Sequence, residues 1–185
     1  MVLRAMARWP EVPDVFGWLS LDRRGLWRLR GDPITHRGAV EFIGRNYSRD
    51  EHGRWYFQNG PQRVFVALEY TPWVIAVDNE GGLCTHTGRP LGALEGALLD
   101  EEGNLLLAVN GSVGVVLDRD LTTLAARLVA ADGGPAEETD LARVAAGECG
   151  GLALRWQGRS LPVTRIYRGE VPGRFGFDPE PSALG

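Results

Sequence analysis

Leu21-Asp22-Arg23-Arg24-Gly25 and Val77-Asp78-Asn79-Glu80-Gly81 are two appearances of one pattern, an apolar strand running into D-x-x-G. The tetrapeptide occurs twice more, as Asp50-Glu51-His52-Gly53 and Asp100-Glu101-Glu102-Gly103. Its physics is local. An aspartate at the first position of a type I turn caps the backbone two residues on, and the glycine accepts the positive φ that closes a hairpin. Each occurrence is followed by apolar or aromatic residues: Leu26-Trp27, Trp55-Tyr56-Phe57, Leu83-Cys84 and Leu105-Leu106-Leu107. Four turns of one kind, each opening a strand, predict four hairpin corners.

The features around these corners recur in order. Gly31-Asp32-Pro33-Ile34 follows the first corner and Gly88-Arg89-Pro90-Leu91 the third. A helix is predicted over 35–47, with Val40, Phe42, Ile43 and Tyr47 on its apolar face. Only 92–99 fills the matching place, which predicts a helix of about two turns. The strands after Asp50–Gly53 and Asp100–Gly103 end in Asn59-Gly60 and Asn110-Gly111. Pro61 lacks the N–H a tight turn would use, so a longer loop is expected around 58–62.

The predicted fold is therefore α+β. It is mainly antiparallel β, with two tandem related lobes of hairpin, helix and hairpin, plus a C-terminal helix and hairpin. The first lobe spans 1–73, including a short N-terminal helix over 1–13. The second spans 74–119. Residues 120–185 supply helices capped by Asp120 (through Val129) and Asp140, a hairpin around Gln157-Gly158, and a tail, all expected on the second lobe.

Composition excludes several chemistries. The 20 basic residues are all arginine, so no lysine can serve a P-loop or a Schiff base. No run of 18 apolar residues exists, and the N-terminus has no continuous apolar core, so neither a membrane span nor a secretory signal is expected. Cys84 and Cys149 make no disulfide framework, which points to a reducing cytoplasm. Residues 1–68 hold 11 arginines against 7 acids, and residues 69–185 hold 9 against 17. A net acidic chain does not favour nucleic acid, and the two halves are expected to complement each other.

The candidate surface is the polar and aromatic stretch Arg54, Tyr56, Gln58, Asn59, Gln62, Arg63, Tyr70 and Trp73. Arginine and aromatic side chains together suit binding hot spots and stacking on rings. The plainer alternative puts Trp55 and Phe57 in the core, with Arg54, Tyr56 and Gln58 on the wet side of a strand. Cys84 and His86 alternate on one predicted strand, and both residue types can ligate zinc or form a nucleophile–base pair. They are two ligands where a structural zinc site needs four, and a half-buried cysteine beside a surface histidine is the simpler account of them. Asp78, Glu80, Asp100, Glu101 and Glu102 could grip a cation but lack an EF-hand order, and turn chemistry accounts for them. No G-x-S-x-G elbow surrounds any of the five serines.

The segments Phe16-Gly17-Trp18-Leu19, Arg45-Asn46-Tyr47 and Gly53-Arg54-Trp55-Tyr56-Phe57-Gln58-Asn59-Gly60-Pro61-Gln62-Arg63-Val64, with the opening ARWPEVP, carry a resemblance. Over residues 5–77 the chain resembles a domain-of-unknown-function family of proteobacteria, small cytoplasmic proteins without an assigned activity. A more distant likeness, in the order strand, D-x-x-G, strand, Gly-x-Pro-Ile, helix, is to another uncharacterised bacterial family. The resemblance implies neither reaction nor cofactor.

The leading expectation is a non-enzymatic ligand- or partner-binding regulatory module needing no cofactor. Its partner would be a small molecule or a protein, a homodimer included. The alternatives are a small hydrolase, with or without metal assistance, using His36, Cys84, His86 or the acidic turns, and a nucleic-acid contact through the basic first lobe.

Overall fold

All four D-x-x-G segments close in the same way in the computed structural model, which describes residues 12–148 and 151–183. At each corner the glycine N–H donates to the aspartate carbonyl, at 2.9 Å for Gly25 and 3.1 Å for Gly53, Gly81 and Gly103. One carboxylate oxygen of Asp22, Asp50, Asp78 or Asp100 accepts the N–H groups two and four residues on. The four glycines share a φ of +79° to +82°, which few side-chain-bearing residues adopt.

The strands between these corners form two sheets. The first contains β1 (Asp14–Leu21), β2 (Trp27–Leu29), β3 (Asp32–Pro33), β4 (Tyr47–Arg49), β5 (Trp55–Asn59) and β6 (Gln62–Leu68), in the order β3-β2-β1-β6-β5-β4. The helix α1 (Arg37–Arg45) joins β3 to β4. The second sheet begins with β7 (Trp73–Val77), β8 (Leu83–Thr85), β9 (Leu94–Leu99), β10 (Leu105–Val109) and β11 (Ser112–Val116). Their order is β8-β7-β11-β10-β9, the same succession of pairings as in the first sheet. In both, the first strand pairs in parallel with the last: β1 with β6, and β7 with β11.

The C-terminal third adds α2 (Leu121–Ala125), β12 (Leu128–Val129), α3 (Glu138–Ala145), β13 (Ala153–Trp156), β14 (Arg159–Arg165) and α4 (Val171–Phe175). Strand β14 lies parallel to β9 and extends the second sheet. The fold is α+β and mainly β. No helix among the described residues is long and apolar enough to cross a membrane.

Two cores share the second sheet. Leu106, Ala108, Val113 and Val115 pack against the first sheet, with Trp27, Phe57, Val64 and Val66. Leu105, Leu107, Ala97 and Leu99 pack on the opposite side, against Leu124, Leu154 and Trp156. Alternate residues of β10 thus enter different cores, and all five are buried. That explains the unbroken Leu-Leu-Leu-Ala-Val, since a strand covered on both faces has no polar side.

Several expectations need correction. Residues 92–99 hold β9, not a short helix, because every turn of a helix there would face one core while β9 feeds two. The 59–62 connection is tight: Asn59 pairs with Gln62, Gly60 takes a φ of +57°, and Pro61 occupies a loop position where no N–H is required. Asp120 does not cap α2; its carboxylate accepts the Val77 N–H at 3.0 Å, and Leu128-Val129 leave the helix as β12. Asp140 sits inside α3, three residues past the N-cap Glu137, and reaches back to its N–H. The tail does not stay on the second sheet. Phe177 enters the core shared with the first sheet, Asp178 N–H donates to Gly53 O, and Leu68 N–H donates to Pro179 O. The expected helix over 1–13 lies outside the described residues, apart from its last two positions.

Candidate functional site

The eight residues of the expected surface do not form one surface. Arg54, Tyr56 and Arg63 stand on the outer face of the first sheet around Phe65, which is only 1% exposed. Phe16 stacks on Phe65 at 4.4 Å, and the Arg54 and Arg63 guanidinium groups lie 4.6 and 5.3 Å from its ring. Gln58 braces the β5–β6 turn, donating to Gly60 O and Gln62 O. Asn59 and Gln62 flank that turn, and Gln62 Nε2 donates to Val12 O. Tyr70 is buried and donates to Asp100 at 2.6 Å. Trp73 alone reaches the seam between the sheets.

A cleft of about 680 Å³ opens on the outer face, lined by Asp14, Phe16, Asp50, His52, Arg54 and Arg63 among others. Its charges are already matched. Arg63 holds Asp14 through two nitrogens at 2.7 and 2.8 Å, a pairing that raises the guanidinium pKa. Arg54 holds Asp50 at 2.8 Å. Burial pushes the Asp50 carboxyl up, but the Arg54 backbone N–H and guanidinium outweigh it and leave the pKa lowered. The rim of this cleft runs to Val12 and Ala183, where the described residues end.

The second cavity is smaller, about 270 Å³, and differently built. It lies where the sheets meet, and its lining comes from strand ends and loops. Arg49 ends β4, and Trp55, its cross-strand partner, opens β5. Trp73 opens β7, Thr85 ends β8, Arg89 to Gly92 form the loop before β9, and Val109, Asn110 and Ser112 surround the β10–β11 turn. No carboxylate lines it. Among the described residues the Arg49 guanidinium makes no hydrogen bond or ion pair. Arg89 uses only Nη2, donating to Gly44 O at 3.1 Å and Arg45 O at 2.9 Å, the free carbonyls at the end of α1. Gly44 lets Thr87 pack closely against the helix, since a Cβ there would stand 3.2 Å from the Thr87 Cβ.

Behind this cavity lies a cluster of five rings. Trp55 meets Trp73 nearly at right angles, 79° and 5.0 Å between centroids. Tyr47 touches both, and Trp27 and His86 complete the group. Three buried nitrogens in this cluster have no partner: Trp27 Nε1, Trp55 Nε1 and His86 Nε2. His86 Nδ1 accepts the Val74 N–H at 3.3 Å, which places the neutral ring's proton on Nε2. The cluster therefore holds three N–H donors without acceptors, where most buried polar groups are paired. Burial, and then the Arg89 charge, push the His86 pKa down to about 3.

Cys84 is half-buried, and His86 lies within the ring cluster. Burial and the Asp78 and Asp120 carboxylates push the Cys84 thiol up, so the thiolate is scarce near neutrality. His86 stays neutral in its ring cage, and no three of His, Cys, Asp and Glu come together among the described residues. His36 caps α1, and His52 stands exposed beside Glu51. The acidic turns use their aspartates as caps. The complementarity of the two halves is local: Arg23 donates to Asn104 at 2.6 Å and lies 3.8 Å from Glu102.

Sequence reasoning named Trp73 and passed over Arg49, Arg89, Asn110 and Ser112. One signal pointed to Arg89. In the matching Gly-x-Pro segments the middle residue is Asp32 in the first sheet and Arg89 in the second, a reversal of charge at one place in the pattern.

A family model, DUF2944, described as "Protein of unknown function (DUF2946)", matches residues 1–182. Two solved structures of DUF1285 family proteins are similar. One, from Silicibacter pomeroyi DSS-3, is 18% identical, with 88% of this chain and 93% of that chain covered and a TM-score of 0.56. The other, from Shewanella baltica OS155, is 14% identical, with 62% and 91% covered and a TM-score of 0.44. The first similarity establishes a shared fold. No curated protein matches the sequence.

Proposed function

We propose, for a chain that belongs to the DUF2944 family and receives no assigned activity from it, a non-enzymatic ligand-binding module whose site is the seam cavity. One observation carries the reading: unused hydrogen-bonding groups from both sheets converge on one cavity with an aromatic wall. Among the described residues, the Arg49 guanidinium, the remaining nitrogens of Arg89, and the Asn110 and Ser112 side chains have no acceptor or donor of their own there. Pockets of this kind, largely apolar with a few polar groups, are the usual form of small-molecule sites. The raised thiol of Cys84 and the lowered imidazole of His86 count against the hydrolase alternative. The pairing of Arg54 and Arg63 with their own aspartates counts against nucleic acid on the outer face.

The proposal extends to a bacterial cytoplasmic setting and to tandem duplication as the origin of the two sheets. The free thiol of Cys84 and the shared pairing order support these parts. A protein partner, or a second copy of the chain, would meet the outer face instead.

The test is a ¹H–¹⁵N spectrum of the six indole N–H groups, few enough to resolve individually, during addition of a mixture of neutral, cationic and anionic planar fragments. Shifts concentrated at Trp55 and Trp73 are expected. Shifts at Trp18 or Trp156 instead, or none, refute the seam as the binding site.

A further inference from the structure

We infer that the seam cavity takes a small organic oxyanion, a carboxylate or phosphate carried on a flat apolar body. The inference rests on the ligand-site reading above and adds the chemistry of the ligand. Charge decides the first half. Two guanidinium groups line the cavity, and among the described residues no carboxylate answers them. This contrasts with the larger outer cleft, where Asp14 and Asp50 neutralise both arginines. The Glu95 carboxylate, near the β10–β11 turn, accepts the Gly111 N–H at 3.1 Å. A guanidinium presents a planar fork that matches carboxylate or phosphate oxygens in pairs.

Shape decides the second half. Trp55 and Trp73 meet at 79° and form a right-angled apolar corner. Trp55 is 5% exposed and its indole N–H lacks an acceptor, and Trp73 is half-buried. A flat body lies along one ring and abuts the other. A volume of 270 Å³ equals roughly nine waters, which suits a ligand of about ten non-hydrogen atoms and leaves no room for a whole nucleotide. Asn110 and Ser112 remain for a second polar group on the ligand.

Arg49 is the natural variant, because its side chain is exposed and has no hydrogen-bond or ion-pair partner among the described residues, so its loss is expected to leave the fold in place. Calorimetric titrations would compare benzoate, phenyl phosphate, inorganic phosphate, benzyl alcohol and benzylamine on the wild type, Arg49→Ala and Arg49→Lys. Benzoate or phenyl phosphate is expected to bind with a Kd on the order of 0.1–1 mM, and the tighter of the two identifies the oxyanion. Arg49→Ala is expected to weaken that binding about tenfold and Arg49→Lys to restore part of it. Inorganic phosphate binding as tightly as the aromatic anions overturns the flat body. Benzyl alcohol or benzylamine binding as tightly, unaffected by Arg49→Ala, overturns the oxyanion while the ligand-site reading stands. No binding by a probe of any charge overturns both.

Discussion

Replacing His86 by asparagine removes an imidazole whose protonation the fold forbids, and the effect is read in the pH dependence of stability. In the folded chain the ring is enclosed by Trp27, Tyr47 and Trp73. Its pKa falls from 6.5 to about 3, first through burial and then through the Arg89 charge. The unfolded chain takes up a proton near pH 6.5 and the folded chain does not. The stability contributed by neutral His86 is thus fully present above pH 6.5 and is lost as pH falls toward 3. Each pH unit in that window is worth about 1.4 kcal/mol, so the loss is about 2 kcal/mol at pH 5 and about 4 kcal/mol at pH 3. Asparagine places an oxygen where Nδ1 accepts the Val74 N–H and carries no titrating group. The variant is less stable at pH 7.5 because the ring is gone, but its stability changes about 2 kcal/mol less between pH 7.5 and pH 5. Urea unfolding at the two pH values measures the difference, and His36 and His52 cancel because both proteins contain them. Equal changes in the two proteins, within about 0.5 kcal/mol, would refute the burial argument.

Three further outcomes follow from the same geometry. Tyr70→Phe removes one of the donors to the buried Asp100 carboxylate and is expected to cost about 1.5–3 kcal/mol, a Tm drop of roughly 3–12 °C in a calorimeter. Burial and Asp100 raise the Tyr70 pKa, so wild-type stability declines above pH 10 as the unfolded tyrosine ionises, and Tyr70→Phe should reduce that alkaline decline. Gly53→Ala puts a Cβ against the Gly176 carbonyl at a φ of +79°; a loss of about 3 kcal/mol and faster tryptic cleavage at Arg174 are expected, and wild-type cleavage rates would count against the tail's docking. Arg49→Ala should leave the urea midpoint within about 0.5 kcal/mol of wild type, because the side chain has no partner to lose.

The corners of the fold were legible because each is decided within five residues. Aspartate supplies the acceptor for two N–H groups and glycine the positive φ, so the pattern carries its own geometry. Leu94-Glu95-Gly96-Ala97-Leu98-Leu99 was misread because its apolar spacing suits a short helix as well as a strand between two cores; only the β10 and β14 pairings decide it. The tail was misplaced for a similar reason. Its anchors, Gly53 O, Leu68 N–H and the Arg54 guanidinium reaching Ser182 O, lie more than a hundred residues away in the chain. The surface around Arg54 failed as a unit because strand alternation and the turn at Glu69 to Pro72 send its members in different directions. Arg49 gave only a comparative sign: it precedes Asp50 where Leu99 precedes Asp100.

That comparison bears on why the proposed site would lie at the seam and not on a sheet face. Strands β10 and β11 are buried along their whole length, and their side chains are committed to two cores. Polar chemistry can emerge only where these strands begin and end. The parallel pairing of β7 with β11 makes both strands start at the same edge, bringing Trp73 beside the Ser112 end of the sheet. The antiparallel β10 ends there through Asn110. The first sheet meets that edge with the close of β4 and the start of β5, at Arg49 and Trp55. Arg89 fastens the arrangement by holding the end of α1 to the loop before β9 while leaving two of its nitrogens toward other partners. A cavity made of strand ends from both sheets depends on how the sheets are set against each other. Small molecules that fill it therefore favour the docked arrangement over any in which the sheets part, by mass action.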